Sequence, residues 1–149
     1  MQKLIILKIF IFFVLFEHAF SKDEYFRTLR NDKVNLRQGP SFDYPIKIFY
    51  KKKFLPVLVQ DSSDNFRKIR DHENNSGWIH ISQLSKKKAA IVIDDSLIMF
   101  KSATIYSNPI AVLQKGRHVK INKCKDDWCK VRTGKFKGWI KNESLWGLF

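Results

Sequence analysis

Two cysteines, Cys124 and Cys129, frame the segment Cys-Lys-Asp-Asp-Trp-Cys. Such a pair serves three chemistries: a thiol nucleophile, a metal site or a disulfide. A nucleophile needs a base and a group to orient that base. His118 could approach Cys129, but no third residue suggests itself, and His72 and His80 fall in the half of the chain that has no cysteine. A metal site would have to recruit His118 and Asp126 without the second cysteine pair that structural zinc sites use. A disulfide needs only the two sulfurs. Four residues between two strands make a hairpin loop that sets its ends opposite one another. The closed ring is small, so stabilisation at or below the usual ~2–4 kcal/mol is expected. With Val119 and Ile121 facing inward, simple alternation turns Cys124 outward. The bridge therefore predicts a β-bulge near Asn122-Lys123. The paired acids Asp94-Asp95 and Asp126-Asp127 read as solvated turn charge. Asn74-Asn-Ser76 and Asn142-Glu-Ser144 are glycosylation sequons by pattern only.

The second chemistry is recognition by aromatic rings beside cations. In Phe66-Arg-Lys-Ile-Arg70, Ile69 reads as core and alternation leaves Phe66 on the other face with Lys68 and Arg70. In Trp128-Cys-Lys-Val-Arg132, Val131 reads as core and Trp128 lies opposite with Lys130 and Arg132. Exposed rings flanked by charge suit stacking on a sugar or a peptide, with a cation for a carboxylate or phosphate. The plainer alternative is that Phe66 and Trp128 cover the end of a barrel or a contact between modules. Trp78 and Trp139 each follow a glycine, Gly77 and Gly138, that would allow close approach or a bulge. Both tryptophans read more readily as shields than as ligand contacts. Tyr44 and Tyr50 are weaker groove candidates. Asn35, Arg37, Gly39 and Pro40 form a compact motif. There the polar side chains are expected to bond loop backbone, Pro40 fixes its φ, and Gly39 permits an unusual one.

These residues must be positioned by the rest of the chain. It has 149 residues, 28 basic and 14 acidic side chains and a net charge of +14. The length suits one ordinary domain or two very small ones, too short for a large barrel enzyme of roughly 250 residues. A hydrophobic fraction of 44% with 13 Phe excludes a disordered polycation. A basic excess of this size first suggests nucleic acid or an anionic surface. The N-terminus redirects that reading. Met1-Gln-Lys3 is basic, Leu4 to Phe16 is apolar apart from Lys8, and Ala19-Phe20-Ser21 offers small residues at a cut. This is the layout of a signal peptide over residues 1–21, cleaved after Ser21. An apolar run this short does not reach the roughly 20 residues of a membrane span. An exported chain does not meet cytoplasmic nucleic acid, so the expected anionic partners are envelope polymers, membrane surfaces or acidic proteins.

Short β-branched and aromatic runs separated by turn residues predict strands at Val34–Arg37, Ile46–Tyr50, Leu55–Val59, Phe66–Arg70, Trp78–Ile81 and Ala89–Ile93. The chain also repeats itself. Phe66-Arg-Lys-Ile-Arg70, Gly77-Trp-Ile79 and Leu84 match Trp128-Cys-Lys-Val-Arg132, Gly138-Trp-Ile140 and Leu145. Upstream, Pro45-Ile46 with Leu55 and Val57 matches Pro109-Ile110 with Val119 and Ile121. Such self-similarity means duplicated modules, here residues 25–93 and 94–149. Modules this small are marginal alone, burying only about 60% of their unfolded surface. The two are therefore expected to touch. The densest basic runs, Lys51–Lys53 and Lys86–Lys88, read either as solvated edges and linkers or as contacts for an anionic headgroup or wall polymer.

Each half resembles the bacterial SH3 (SH3b) domain. The first half carries Val34-Asn-Leu-Arg-Gln-Gly-Pro40, Tyr44-Pro-Ile46, Leu55-Pro-Val57, Phe66-Arg-Lys-Ile-Arg70 and Gly77-Trp-Ile79. The second keeps Trp128, Val131, Gly138-Trp-Ile140 and Leu145. It has Ile98-Met-Phe100 and Ser102-Ala103 where the Asn-x-Arg and Gly-Pro elements would stand. Together they look like the tandem form found in small exported proteins of α-proteobacteria. The resemblance implies an all-β chain of two five-stranded SH3-like barrels with no cofactor and a binding rather than catalytic role. The expected target is cell-wall peptide or glycan, or an envelope protein. The alternative is a structural subunit of an envelope complex that takes no small ligand.

Overall fold

The computed structural model describes residues 23–148. The signal-peptide reading of residues 1–21 lies outside the described residues. From Tyr25 onward the regular structure is strand apart from two short 3-10 turns, in two seven-stranded sheets. The first contains β1 (Tyr25–Leu29), β2 (Val34–Arg37), β3 (Ile46–Tyr50), β4 (Pro56–Ser63), β5 (Phe66–Arg70), β6 (Ser76–His80) and β7 (Leu84–Ser85). The second contains β8 (Ala89–Val92), β9 (Ser96–Phe100), β10 (Pro109–Gln114), β11 (His118–Lys125), β12 (Trp128–Thr133), β13 (Phe136–Lys141) and β14 (Leu145–Trp146). The strand orders are β3-β2-β6-β5-β4-β1-β7 and β10-β9-β13-β12-β11-β8-β14. The second is the first repeated strand for strand. A short 3-10 turn precedes the last strand of each sheet, at Ile81–Gln83 and at Asn142–Ser144.

The duplication extends to irregularities. The ladder between β4 and β5 slips at Gln60, and that between β11 and β12 slips at Asn122. Both slips are one-residue bulges, which bend a strand and reverse its side-chain phase. The turns beyond them put Asp64 and Asp126 at φ 44° and 50°, the left-handed region that Asp tolerates better than most side chains.

Two expectations need correction. Each sheet has seven strands rather than five. The additions are a leading strand (β1, β8) and a two-residue closing strand (β7, β14), which pair with one another in each module. Two residues are too few to show a period in sequence. The division at residue 93 is also displaced. Ala89–Val92 pairs with β11 and β14, so it opens the second sheet, and Lys86–Lys88 is the connector. An all-apolar strand carries no mark of which sheet it will join.

The packing of β8 explains its composition. All four of its residues are buried. Ala90 and Val92 pack into the second core with Leu97, Met99, Val119, Val131 and Ile140. Ile91 packs into the first core with Leu29, Leu36, Val57, Ile69 and Ile79. Successive residues of a strand face opposite ways, so this strand is a wall between two cores and has no wet face. Trp146 of β14 joins the first core as well, edge-on to Phe26 at 4.8 Å. The expected contact between modules is thus a shared strand. The connector is pinned by the Thr28 hydroxyl, which donates to the Lys87 carbonyl at 2.8 Å.

Candidate functional site

The first module gathers aromatic rings at one end through its first loop. Arg37, at the end of β2, turns its guanidinium back into the loop and donates to the Phe42 and Tyr44 carbonyls at 3.0 and 2.8 Å. Ser41 and Asp43 close the loop tip with a side-chain hydrogen bond of 3.0 Å. The Tyr44 ring lies directly on Gly39, where an added Cβ would fall 2.5 Å from ring carbons. A side chain at Gly39 would have to push that exposed ring aside. The unusual φ expected for it is not found, because the glycines at positive φ are Gly116, Gly134 and Gly147. The loop bonding expected of Arg37 is present. Asn35 offers its backbone N–H to Gln83 Oε1 at 3.3 Å.

So held, Phe42 projects over Phe66 and His80. Its ring centroid lies 5.2 Å from that of Phe66 and 5.1 Å from that of His80, and Phe66 meets His80 at 5.2 Å. The Arg37 guanidinium carbon sits 5.4 Å from the Phe42 centroid. Phe42 is 62% exposed and Tyr44 47%. Phe66, read as an exposed stacking residue, is only 6% exposed. Its phase is as alternation predicts, since it does not join the module core. Its exposure is not, because Phe42 and His80 cover it. Those two residues were missed in sequence. Phe42 had one signal, its place between Gly39-Pro40 and Tyr44. His80 had none until β6 was registered against β5, where it stands opposite Phe66.

The second module builds the same corner from other residues. Trp128 is 9% exposed rather than free. Phe100 meets it edge-on at 5.7 Å, and Lys141 places its ammonium 4.8 Å from the ring centroid. Lys141 stands opposite Trp128 as His80 stands opposite Phe66. Trp139 is half-buried, with the Lys123 and Lys130 ammoniums at 5.7 and 5.8 Å. Phe100 replaces the loop-locking arginine, and Ile98, Ile105, Tyr106 and Val112 are exposed.

Other candidates are structural. Tyr50 is buried, and its hydroxyl donates to Asp71 Oδ2 at 2.9 Å, so it is no groove residue. Burial, then the Asp71 hydrogen bond and charge, hold its pKa well above the usual phenol range. Asp71 is buried too and accepts from the Glu73 and Asn75 backbone N–H groups and the Asn75 amide. Trp78 is half-buried, opposite Lys68 on β5 and Arg37 on β2.

Cys124 and Cys129 form a disulfide, so neither sulfur is a free thiolate for metal or nucleophilic chemistry. They are directly paired across β11 and β12, and the bulge at Asn122 that the bridge required is in place. The intervening segment is not a four-residue loop. The ladder continues to Lys125 and Trp128, leaving a two-residue turn at Asp126-Asp127.

Two tandem, strand-for-strand repeated β modules with a Gly-Trp strand near each end define a class of small barrel. The bacterial SH3 domain family matches residues 30–86 and 94–147, and the chain belongs to it. Membership and the disulfide are compatible with an extracytoplasmic protein. No curated protein matches the chain. Among solved structures it is similar to NlpC2 from Trichomonas vaginalis, at 12% identity and a TM-score of 0.39 over 86% of this chain and 49% of that one. NlpC1 from the same organism is similar at 11% identity and a TM-score of 0.38, over 85% and 47%. The chain spans about half the length of either.

Proposed function

We propose that this is an exported, non-catalytic binding protein whose first module recognises cell-wall peptide or glycan. One observation carries the reading: a 62%-exposed Phe42 ring, backed by Phe66 and His80 and flanked by Arg37 and Tyr44. A ring fixed from behind loses little freedom on binding, and its free face suits a sugar ring or peptide plane. The adjacent guanidinium suits a carboxylate of a wall peptide. The basic, apolar and small-residue order of residues 1–21 supports export.

A second reading, docking on an envelope protein with no small ligand, is favoured by the second module. There Ile98 and Tyr106 are exposed where the first module has Asn35 and Asp43. Sedimentation with purified peptidoglycan separates the two. Retention that survives moderate salt and falls with Phe42→Ala supports wall recognition. Retention lost at moderate salt reflects net charge alone and overturns it. Trp128→Ala in parallel asks whether the second corner contributes.

A further inference from the structure

The two basic runs and β11 converge on one ring. Phe54, between β3 and β4, lies under three ammonium groups: Lys120 at 4.6 Å from the ring centroid, and Lys53 and Lys87 each at 5.5 Å. Lys53 belongs to the first module, Lys87 to the connector and Lys120 to the second module. Beside them is a cleft of about 280 Å³, lined by Lys52, Lys53, Phe54, His118, Lys120 and Arg132 among others. No Asp or Glu lines it. Among the described residues none of these lysines, nor Arg132, has a carboxylate within ion-pair distance.

The backbone holds Phe54 in place at a cost. Its φ is 62°, a region unfavourable for a bulky aromatic residue. Its N–H donates to the Leu29 carbonyl at 2.9 Å. Outliers of this kind persist where the surroundings over-determine them, and they cluster at functional sites. His118 lines the same cleft. Burial, then the Lys52 charge and His72, bring its pKa down to about 4.

We propose that this cleft between the modules binds phosphate groups, held by Lys53, Lys120 and Arg132 around the Phe54 ring. Like charges gathered without a counter-ion repel one another, and a bound anion relieves that repulsion. A dianion offsets more of it than a single carboxylate. Lysine supplies point charge to phosphate, and Arg132 can supply a paired donor fork. The volume lies just below the usual range for small-molecule sites. It suits a phosphate or diphosphate headgroup and is too small for a folded partner. Because the cations that line the cleft come from both modules, a bound phosphate ties the modules together.

The test uses the full chain and inorganic pyrophosphate, read by calorimetry and by thermal unfolding. Sodium chloride at matched ionic strength is the control. Saturable binding is expected, with a rise in Tm that chloride does not give. The double variant Lys53→Gln/Lys120→Gln should weaken affinity about tenfold or more, while Lys68→Gln leaves it unchanged. Arg132→Lys should weaken binding with the net charge kept. A sugar phosphate and vesicles containing a phosphate-monoester lipid identify the source of the group. A non-saturating response, equal effects of chloride, wild-type affinity in the double variant, or binding to anionic vesicles with none to pyrophosphate would each overturn the proposal. Phe42→Ala should not alter pyrophosphate binding, so failure of the wall-recognition reading and failure of this one are distinguishable.

Discussion

The Arg37 guanidinium donates to the Tyr44 carbonyl at 2.8 Å and to the Phe42 carbonyl at 3.0 Å. One side chain thereby sets the loop that aims the Phe42 ring. Arg37→Ala should loosen the loop and lower retention on peptidoglycan at least as much as Phe42→Ala. The expected stability loss is about 1–3 kcal/mol, the size of hydrogen bonds to a charged group. Arg37→Lys should restore little, since an ammonium lacks the planar fork. Sedimentation and urea unfolding, run together, check both statements.

Gly77 and Gly138 sit where β6 and β13 pass closest to β2 and β9. A Cβ on Gly77 would lie 2.6 Å from the Arg37 carbonyl oxygen and 2.8 Å from Leu36 Cγ. On Gly138 it would lie 2.6 Å from both the Phe100 carbonyl oxygen and Met99 Cγ. Backbone cannot yield as a flexible side-chain end can. Gly77→Ala and Gly138→Ala should each cost about 1–3 kcal/mol by overpacking. Gly134→Ala is a useful contrast, because open space surrounds that Cβ and only its φ of 54° opposes it. Denaturation midpoints rank the three.

Reduction of Cys124–Cys129 should lower stability by no more than about 2 kcal/mol, since the ring it closes is short. Fold should be retained. In the first module Ser62 and Arg67 face each other at the corresponding step of the same bulged hairpin, which forms with no bridge. Thermal unfolding with and without reductant measures the difference, and thiol alkylation reports the state of the bridge.

His118 should make the protein acid-sensitive. Its folded pKa, about 4, lies below the ordinary 6.5. Between those values the unfolded chain binds the proton more readily, so stability rises with pH. The penalty is absent above pH 6.5, grows as pH falls, and levels off below about pH 4. Its ceiling is about 3 kcal/mol, less where solvent screens the half-buried ring. His118→Gln should flatten that part of the Tm–pH curve, whatever its effect at pH 8.

Ile91 offers a test of the shared strand. It hydrogen-bonds within the second sheet but packs in the first core. Ile91→Ala should cost about 2–5 kcal/mol. Hydrogen exchange should rise in β3 to β5 more than in β10 to β12. The reverse pattern would mean that the ladder outweighs the packing.

Local periodicity carried most of the fold. Strands β3 and β5 run where the β-branched spacing puts them, and the repeated Phe/Trp, Gly-Trp and Leu positions exposed the duplication. What was illegible depended on pairing. A two-residue strand has no period, and an apolar strand such as β8 does not announce which sheet it joins. At the site, alternation placed Phe66 and Trp128 off the core correctly. Exposure is decided by whatever lies on top, and Phe42, His80, Phe100 and Lys141 arrive from other elements. The cluster around Phe54 could not have been read at all. Lys53, Lys87 and Lys120 are far apart in the chain and meet only once both modules are folded.

The two faces of β8 also bear on how such a protein can change over generations. Tandem repeats are often portable, since each copy can be gained or lost without harm to the next. Here Ile91 and Trp146 of one copy fill the interior of the other. Losing the second copy would leave the first with an open socket. The inheritable unit is the pair.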